Sequence, residues 1–293
     1  MDKEAAPWTI PRMSTAPLLA VLFGALLHAS WNALIKAGQD KFMDTVLVSG
    51  GSAALALLIV PFIPLPAPAS WPYVAASVVV HIVYFSLLAA AYRVGDMSHA
   101  YPLMRGTGPL LVALLSGAVL GEHLTAPAWA GVLLICGSVL TMTLVRRHDR
   151  DAGPLPTLLA LLNAGVIAVY TFTDGTGVRL SGHPAAYTAW VFLLTAIPLL
   201  AWMAWRRPKD LAANLRRRWG VALGGGACTL GSYGLALWAM TQAPIATVSA
   251  LRETAILFGL ALGVLVLGER AAPARLLAGA GIACGAVVLR LAS

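Results

Sequence analysis

Residues 103–122 read LMRGTGPLLVALLSGAVLGE, and residues 250–269 read ALRETAILFGLALGVLVLGE. A shift of 147 positions aligns the two without a gap and sets Arg105 on Arg252, Thr107 on Thr254, Gly121 on Gly268 and Glu122 on Glu269. Four Leu or Val positions also match, giving 8 identities in 20. Chance matches of Leu and Val come cheaply in an apolar chain. An arginine inside an apolar run with Gly-Glu at its far end, found twice at one spacing, does not. The chain therefore contains two copies of one unit.

The composition says what kind of unit. Of 293 residues, 59% are hydrophobic and 11% charged, with a mean hydropathy of +0.80. Soluble domains carry about 25% charged residues, so the chain reads as an integral membrane protein. The opening MDKEAAPWTIPRM is polar and the first apolar run continues into a spanning helix, so no cleavable leader is expected. The net charge of +8 does not imply nucleic acid as a partner, because most Lys and Arg fall in short loops between apolar runs. Cys136, Cys228 and Cys284 all lie inside apolar runs and read as small packing residues.

Ten runs are long enough to cross a bilayer, at roughly 20 residues each: 17–35, 45–65, 72–92, 100–120, 126–145, 155–178, 185–205, 220–241, 245–267 and 273–291. The spans must be helical, because lipid offers the backbone no hydrogen bonds. The expected fold class is thus an all-α integral membrane protein of ten transmembrane helices in two inverted five-helix repeats. A tail at 1–16 precedes repeats at 17–150 and 151–293. Five helices per copy, an odd number, reverse the second copy in the membrane, and the charges agree. In the first copy the loops after runs one and three carry Lys36, Lys41 and Arg93. In the second copy positive charge moves to the loops after runs seven and nine, with Arg206, Arg207, Lys209, Arg216, Arg217, Arg218, Arg270 and Arg275. Odd loops hold 14 Lys and Arg against 4 in even loops and termini, which puts odd loops in the cytoplasm and both termini outside. Internal duplication of this kind in an apolar chain marks secondary transporters.

The segment RRPKDLAANLRRR reads as an amphipathic interfacial loop. Most tryptophans near run ends read as interfacial anchors, whereas Trp31 falls in the bundle interior. Small residues crowd runs five, eight and ten, in GVLLICGS, GGGACTLGSYG and GAGIACGA, and read first as helix packing; the last run also suits a homodimer contact.

The paired GE segments, the opening HASWNALIKAG and the segment ALRETAILFGLALGVLVLGER resemble the drug/metabolite transporter superfamily. Within it they resemble the ten-helix EamA-type group and, among characterised relatives, bacterial amino-acid exporters. The resemblance covers nearly the whole chain. It implies a multi-pass secondary transporter of the bacterial inner (cytoplasmic) membrane, with a central cavity lined mainly by helices 1, 3, 4, 6, 8 and 9. This chain has Gly106 where its second copy has Glu253, so a mechanism built on a symmetric acid pair is in doubt.

Ionisable groups within the membrane are costly and usually functional. Here they are His28, His81, Arg105, Asp174, Arg252 and Glu253. Arg105, roughly 8 Å inside its helix, either snorkels or pairs structurally, or else binds an anionic group or forms a gate salt bridge. Arg252 and Glu253 point about 100° apart on a helix and cannot share one partner, which makes Arg105 with Glu253 a cross-repeat pair. His28, Trp31 and Asn32 share a face of run one. Ser77, His81, Tyr84 and Leu88 share one in run three, Tyr101, Met104, Arg105 and Gly108 in run four, and Tyr170, Thr171 and Asp174 in run six. Ser249 and Arg252 share a face in run nine, with Trp238 just before it.

The expected substrate-binding set is therefore Trp31, Asn32, His81, Tyr84, Tyr101, Met104, Arg105, Tyr170, Trp238, Ser249 and Arg252, with Asp174 and Glu253 for gating or coupling. Asp174 alternatively reads as solvated at the membrane boundary. The short RVGDMSH link predicts that helices 3 and 4 are antiparallel neighbours, with Pro102 and Gly106 bending helix 4 or leaving room for a ligand. Arginine holds a carboxylate through two hydrogen bonds, and aromatic faces attract an ammonium. The set thus suits an amino acid, including aromatic ones, exported by alternating access. A broader drug or metabolite carrier is the alternative, and a channel or receptor a weaker one. No G-x-x-x-x-G-K-[ST] phosphate loop or H-E-x-x-H motif occurs, so no catalysis, cofactor or metal is expected. Without a symmetric acid pair, passive or weakly coupled export is the expectation.

Overall fold

The computed structural model describes residues 13–144, 154–266, 268 and 272–292. The tail up to Arg12, the loop 145–153 and Arg270, used in the charge reading, and Glu269, used in the repeat, lie outside those residues. Ten helical spans long and apolar enough to cross a membrane run through the described residues. They are α1 (Thr15–Lys36), α2 (Lys41–Ile59), α3 (Trp71–Val94), α4 (Met97–Leu120), α5 (Ala126–Leu144), α6 (Leu155–Leu180), α7 (Pro184–Arg206) and α8 (Pro208–Met240), then a divided ninth span, then α11 (Pro273–Ala292). The ninth span consists of α9 (Ile245–Leu251), a 3-10 turn at Arg252–Thr254 and α10 (Ala255–Leu265).

The repeated Gly-Glu has a backbone cause. Gly121 takes φ +69° and Gly268 takes φ +66°, the left-handed conformation that ends a helix at little cost to glycine. The Gly121 N–H returns to the Gly117 carbonyl at 3.1 Å and closes α4.

Packing follows the duplication. The α3–α6 contact is mirrored by α8–α1, and α4–α6 by α10–α1; α2–α8 is mirrored by α7–α3. The equivalent helices α2 and α7 pack on each other, and so do α5 and α11. Most of the large interfaces join the two copies, so the repeats are interleaved rather than docked as finished units. Glycine permits the closest approaches. A Cβ on Gly51 would lie 1.8 Å from the Ala222 carbonyl, and one on Gly226 would lie 2.4 Å from the Ser52 nitrogen, so the backbones of α2 and α8 touch. In the last run Gly285 packs on α5, where an added Cβ would meet Ile135 at 2.6 Å, while Ala280, Ala283 and Cys284 stay exposed.

Three expectations change. Helices 3 and 4 are not direct neighbours: α6 packs extensively against both, far more than they pack on each other. A short link joins helix ends but does not dictate what fills the groove between them. The segment after α7 is not a loop. It is the start of α8, with a break in helical geometry at Arg218 (φ −124°, ψ 27°). Leu211, Asn214 and Arg218 form its half-buried side while Lys209, Arg216 and Arg217 are exposed, so the amphipathic reading holds for a helix. Finally, Gly106 leaves no ligand room. Its Cβ would meet Leu140 at 2.6 Å and the Cys136 carbonyl at 3.1 Å, so α5 fills that space.

Candidate functional site

Arg105 is buried, and its Nε–H donates to Glu253 Oε2 at 2.9 Å. The pair joins the two repeats in the middle of the bundle, so Arg105 does not snorkel to an interface. The 3-10 turn separates its neighbours: successive side chains there are about 120° apart. Glu253 accordingly faces α4 while Arg252 faces α8, where its Cζ lies 5.2 Å from the centroid of the Tyr233 ring.

Around these charges stands a set of rings. His81 stacks on Tyr170 at 4.9 Å with 28° between planes, and meets Tyr233 edge-on at 6.0 Å. Tyr84 meets Tyr170 edge-on at 5.8 Å. The His81 Nδ1 lies 2.9 Å from the Ser77 carbonyl. The Ser77 hydroxyl lies 3.2 Å from the same nitrogen, so Ser77 fixes the orientation of the ring. His81, Tyr84, Tyr233 and Arg252 are half-buried. His28, Tyr84, Tyr101 and Tyr170 all lie within electrostatic range of Arg105. The site thus draws on α1, α3, α4, α6, α8 and the turn between α9 and α10.

Asp174 is not solvated at a boundary: it is 0% exposed. Tyr187 Oη–H donates to its Oδ1 at 2.9 Å, and Tyr233 Oη–H donates to its Oδ2. Its position near the end of an apolar run fits either orientation, and burial against α7 and α8 decided it. Tyr187 and Tyr233 were not among the sequence candidates. The residues GSYG around Tyr233 read as packing, and nothing in the sequence sets Tyr187 opposite Asp174.

The remaining candidates are spread more widely. Met104 is 1% exposed and sits in the α4–α6 interface, where its sulfur accepts from Asn163 Nδ2 at 3.3 Å; this is a packing position. Trp31 packs edge-on against His28 at 5.2 Å, and its buried Nε1–H finds no acceptor among the described residues. Asn32 Nδ2 donates to the His28 carbonyl at 2.8 Å. Tyr101 and Trp238 are half-buried and Ser249 is buried. Among the described residues no group of three or more His, Cys, Asp or Glu is placed to hold a metal.

At one end of the bundle the helix ends are cross-linked by Arg179 and Glu122, which entered the sequence analysis only through topology and the repeat. Arg179 Nη1 pairs with Glu122 Oε1 at 2.6 Å, while its Nε and Nη2 donate to the carbonyls of Met240 (2.7 Å) and Ala243 (3.1 Å). Glu122 Oε2 accepts the Ile245 N–H at 2.9 Å. One guanidinium thus joins the ends of α4, α6 and α8 to the start of α9, and every residue of α9 is buried. At the opposite end Arg218 pairs with the buried Asp44, and Arg207 bridges Asp40 (3.2 Å) and Asp210 (2.8 Å).

Chemically, the interior offers stacking faces, one neutralised ion pair and one guanidinium carried on a ring. Comparison with known proteins agrees with a transport reading. The model of the EamA-like transporter family matches twice, over residues 15–144 and 155–291. The multidrug transporter EmrE of Escherichia coli (strain K12) is 35% identical over 77 residues, which cover 26% of this chain and 69% of that protein. A solved protein crystal structure aligns with a TM-score of 0.73 at 20% identity, covering 95% of this chain and 96% of its own, a likeness of fold alone.

Proposed function

This chain belongs to the EamA-like transporter family, and from that premise we propose that it exports small amphipathic metabolites, above all amino acids including aromatic ones, by alternating access. The observation that carries the reading is the ring set His81, Tyr84, Tyr170 and Tyr233 beside charges of both signs in mid-bundle. Rings bind an apolar or ring-bearing side chain and attract an ammonium. A guanidinium binds a carboxylate. A zwitterion with an apolar side chain uses all of these, whereas a purely apolar drug uses only the rings. The two interleaved repeats, 17–150 and 151–293, together enclose the pathway in a bacterial inner membrane. Asp174 and Glu253 already have partners, which supports facilitated or weakly coupled export over proton-driven export.

A second reading is a broad drug carrier, favoured by the similarity to EmrE. A panel of labelled amino acids and lipophilic drug cations with purified protein in liposomes separates the two. Uptake of phenylalanine, leucine or their like above empty liposomes supports the first reading. Uptake confined to drug cations supports the second and overturns the first.

A further inference from the structure

The two transmembrane arginines are related by the repeat, yet the fold treats them differently. The pseudo-twofold that pairs Arg105 with Glu253 would pair Arg252 with an acid at position 106. The chain has Gly106 there, and Leu140 and the Cys136 carbonyl close the space. Arg252 is therefore left half-buried, with no carboxylate in ion-pair contact among the described residues. Its guanidinium is instead carried on the face of Tyr233, 5.2 Å from the centroid. Tyr233 is fixed in turn, its hydroxyl bonded to Asp174 and its ring edge-on to His81 at 6.0 Å and to Phe192 at 5.7 Å. Asp174 is held from its other side by Tyr187. A guanidinium on a ring face keeps its N–H edge free, so all its in-plane donors remain available to a bidentate anion.

We propose that Arg252 is the anion subsite of the transport pathway, taking the carboxylate of the transported molecule. Asp174, acting through Tyr233, is a positioning residue that holds the guanidinium there. Arg105, spent on Glu253, is a structural element of the bundle and not a substrate ligand. The assignment rests on the transport reading above for its physiological meaning. It also makes a prediction about binding that stands apart from that reading. A carboxylate on a ring-bearing molecule should be needed, an ammonium should not, and the pocket should fail to hold the same molecule once its carboxylate is made neutral.

The test uses the purified full chain in detergent, with L-phenylalanine, L-phenylalaninamide and hydrocinnamate as probes and ligand-induced thermal stabilisation as the readout. Hydrocinnamate and phenylalanine should stabilise the protein and phenylalaninamide should not. Arg252→Gln should weaken both carboxylates about tenfold or more, the loss expected for a charged hydrogen-bonding partner. Arg252→Lys should retain part of the binding. Tyr233→Phe keeps the ring but frees it from Asp174; it should weaken the carboxylates a few-fold without lowering the unliganded melting temperature to the same extent as Asp174→Ala. Equal binding of the amide and the acid, no binding of any carboxylate probe, or an Arg252→Gln variant that binds like the parent overturns the assignment. Arg252-dependent binding of hydrocinnamate by a protein that transports no amino acid would leave the anion subsite standing and remove the amino-acid reading.

Discussion

Removing one charge of a buried pair strands the other. Arg105 and Glu253 keep 10% and 3% of their side-chain surface, so Arg105→Gln leaves an unpaired buried carboxylate at a cost of about 3–5 kcal/mol. The double variant Arg105→Gln/Glu253→Gln should recover much of that loss. Thermal unfolding in detergent measures both, and a double variant no more stable than Arg105→Gln would show that the ion pair is not what holds this region. Tyr101→Ala and His81→Ala are expected to act differently. Both side chains are half-buried and neither belongs to the described ion pairs, so transport should fall sharply while yield and melting temperature stay near those of the parent. A pair of variants that transport normally would remove these residues from the site.

Helices here are held by how closely their backbones meet. Gly51 and Gly226 let α2 and α8 touch, and a side chain at either would run into main-chain atoms at 1.8 Å and 2.4 Å. Gly51→Leu or Gly226→Leu should therefore sharply reduce folded protein recovered by size-exclusion chromatography, whereas Gly224→Ala, with nothing within 4 Å of the added carbon, should not. Comparable recovery of all three would contradict the α2–α8 packing. The same scale shows what the sequence could and could not reveal. Ten spans, the duplication and the Arg105–Glu253 pair were legible because hydropathy and a repeated arginine act along the chain. The wedge of α6 between α3 and α4 was not, because link length constrains only ends. Tyr187 and Tyr233 escaped notice because a tyrosine in an apolar run has the same appearance whether it packs, faces lipid or bonds a carboxylate on another helix. Asp174 was ambiguous for a related reason: a charge near a run end fits either side of the boundary until its neighbours are known.

Taken whole, the molecule is two interleaved copies fastened at opposite ends by different devices: Arg179 with Glu122 at one, and Arg207 and Arg218 with Asp40, Asp44 and Asp210 at the other. From the Lys and Arg bias we expect the Arg179 end to face outward, and both termini with it. An alkaline phosphatase fusion at the C-terminus should be active in intact cells and a fluorescent-protein fusion dark; the reverse pattern would invert the assigned orientation without touching the repeat. Alternating access further requires that a bound molecule move only while the protein turns over. Counterflow tests that most directly: liposomes preloaded with unlabelled phenylalanine and diluted into trace labelled phenylalanine should show a transient internal accumulation that saturates with the external concentration. The overshoot should vanish in Arg252→Gln and in His81→Ala. Linear, unsaturable entry without an overshoot in the parent protein would contradict a carrier built around this site.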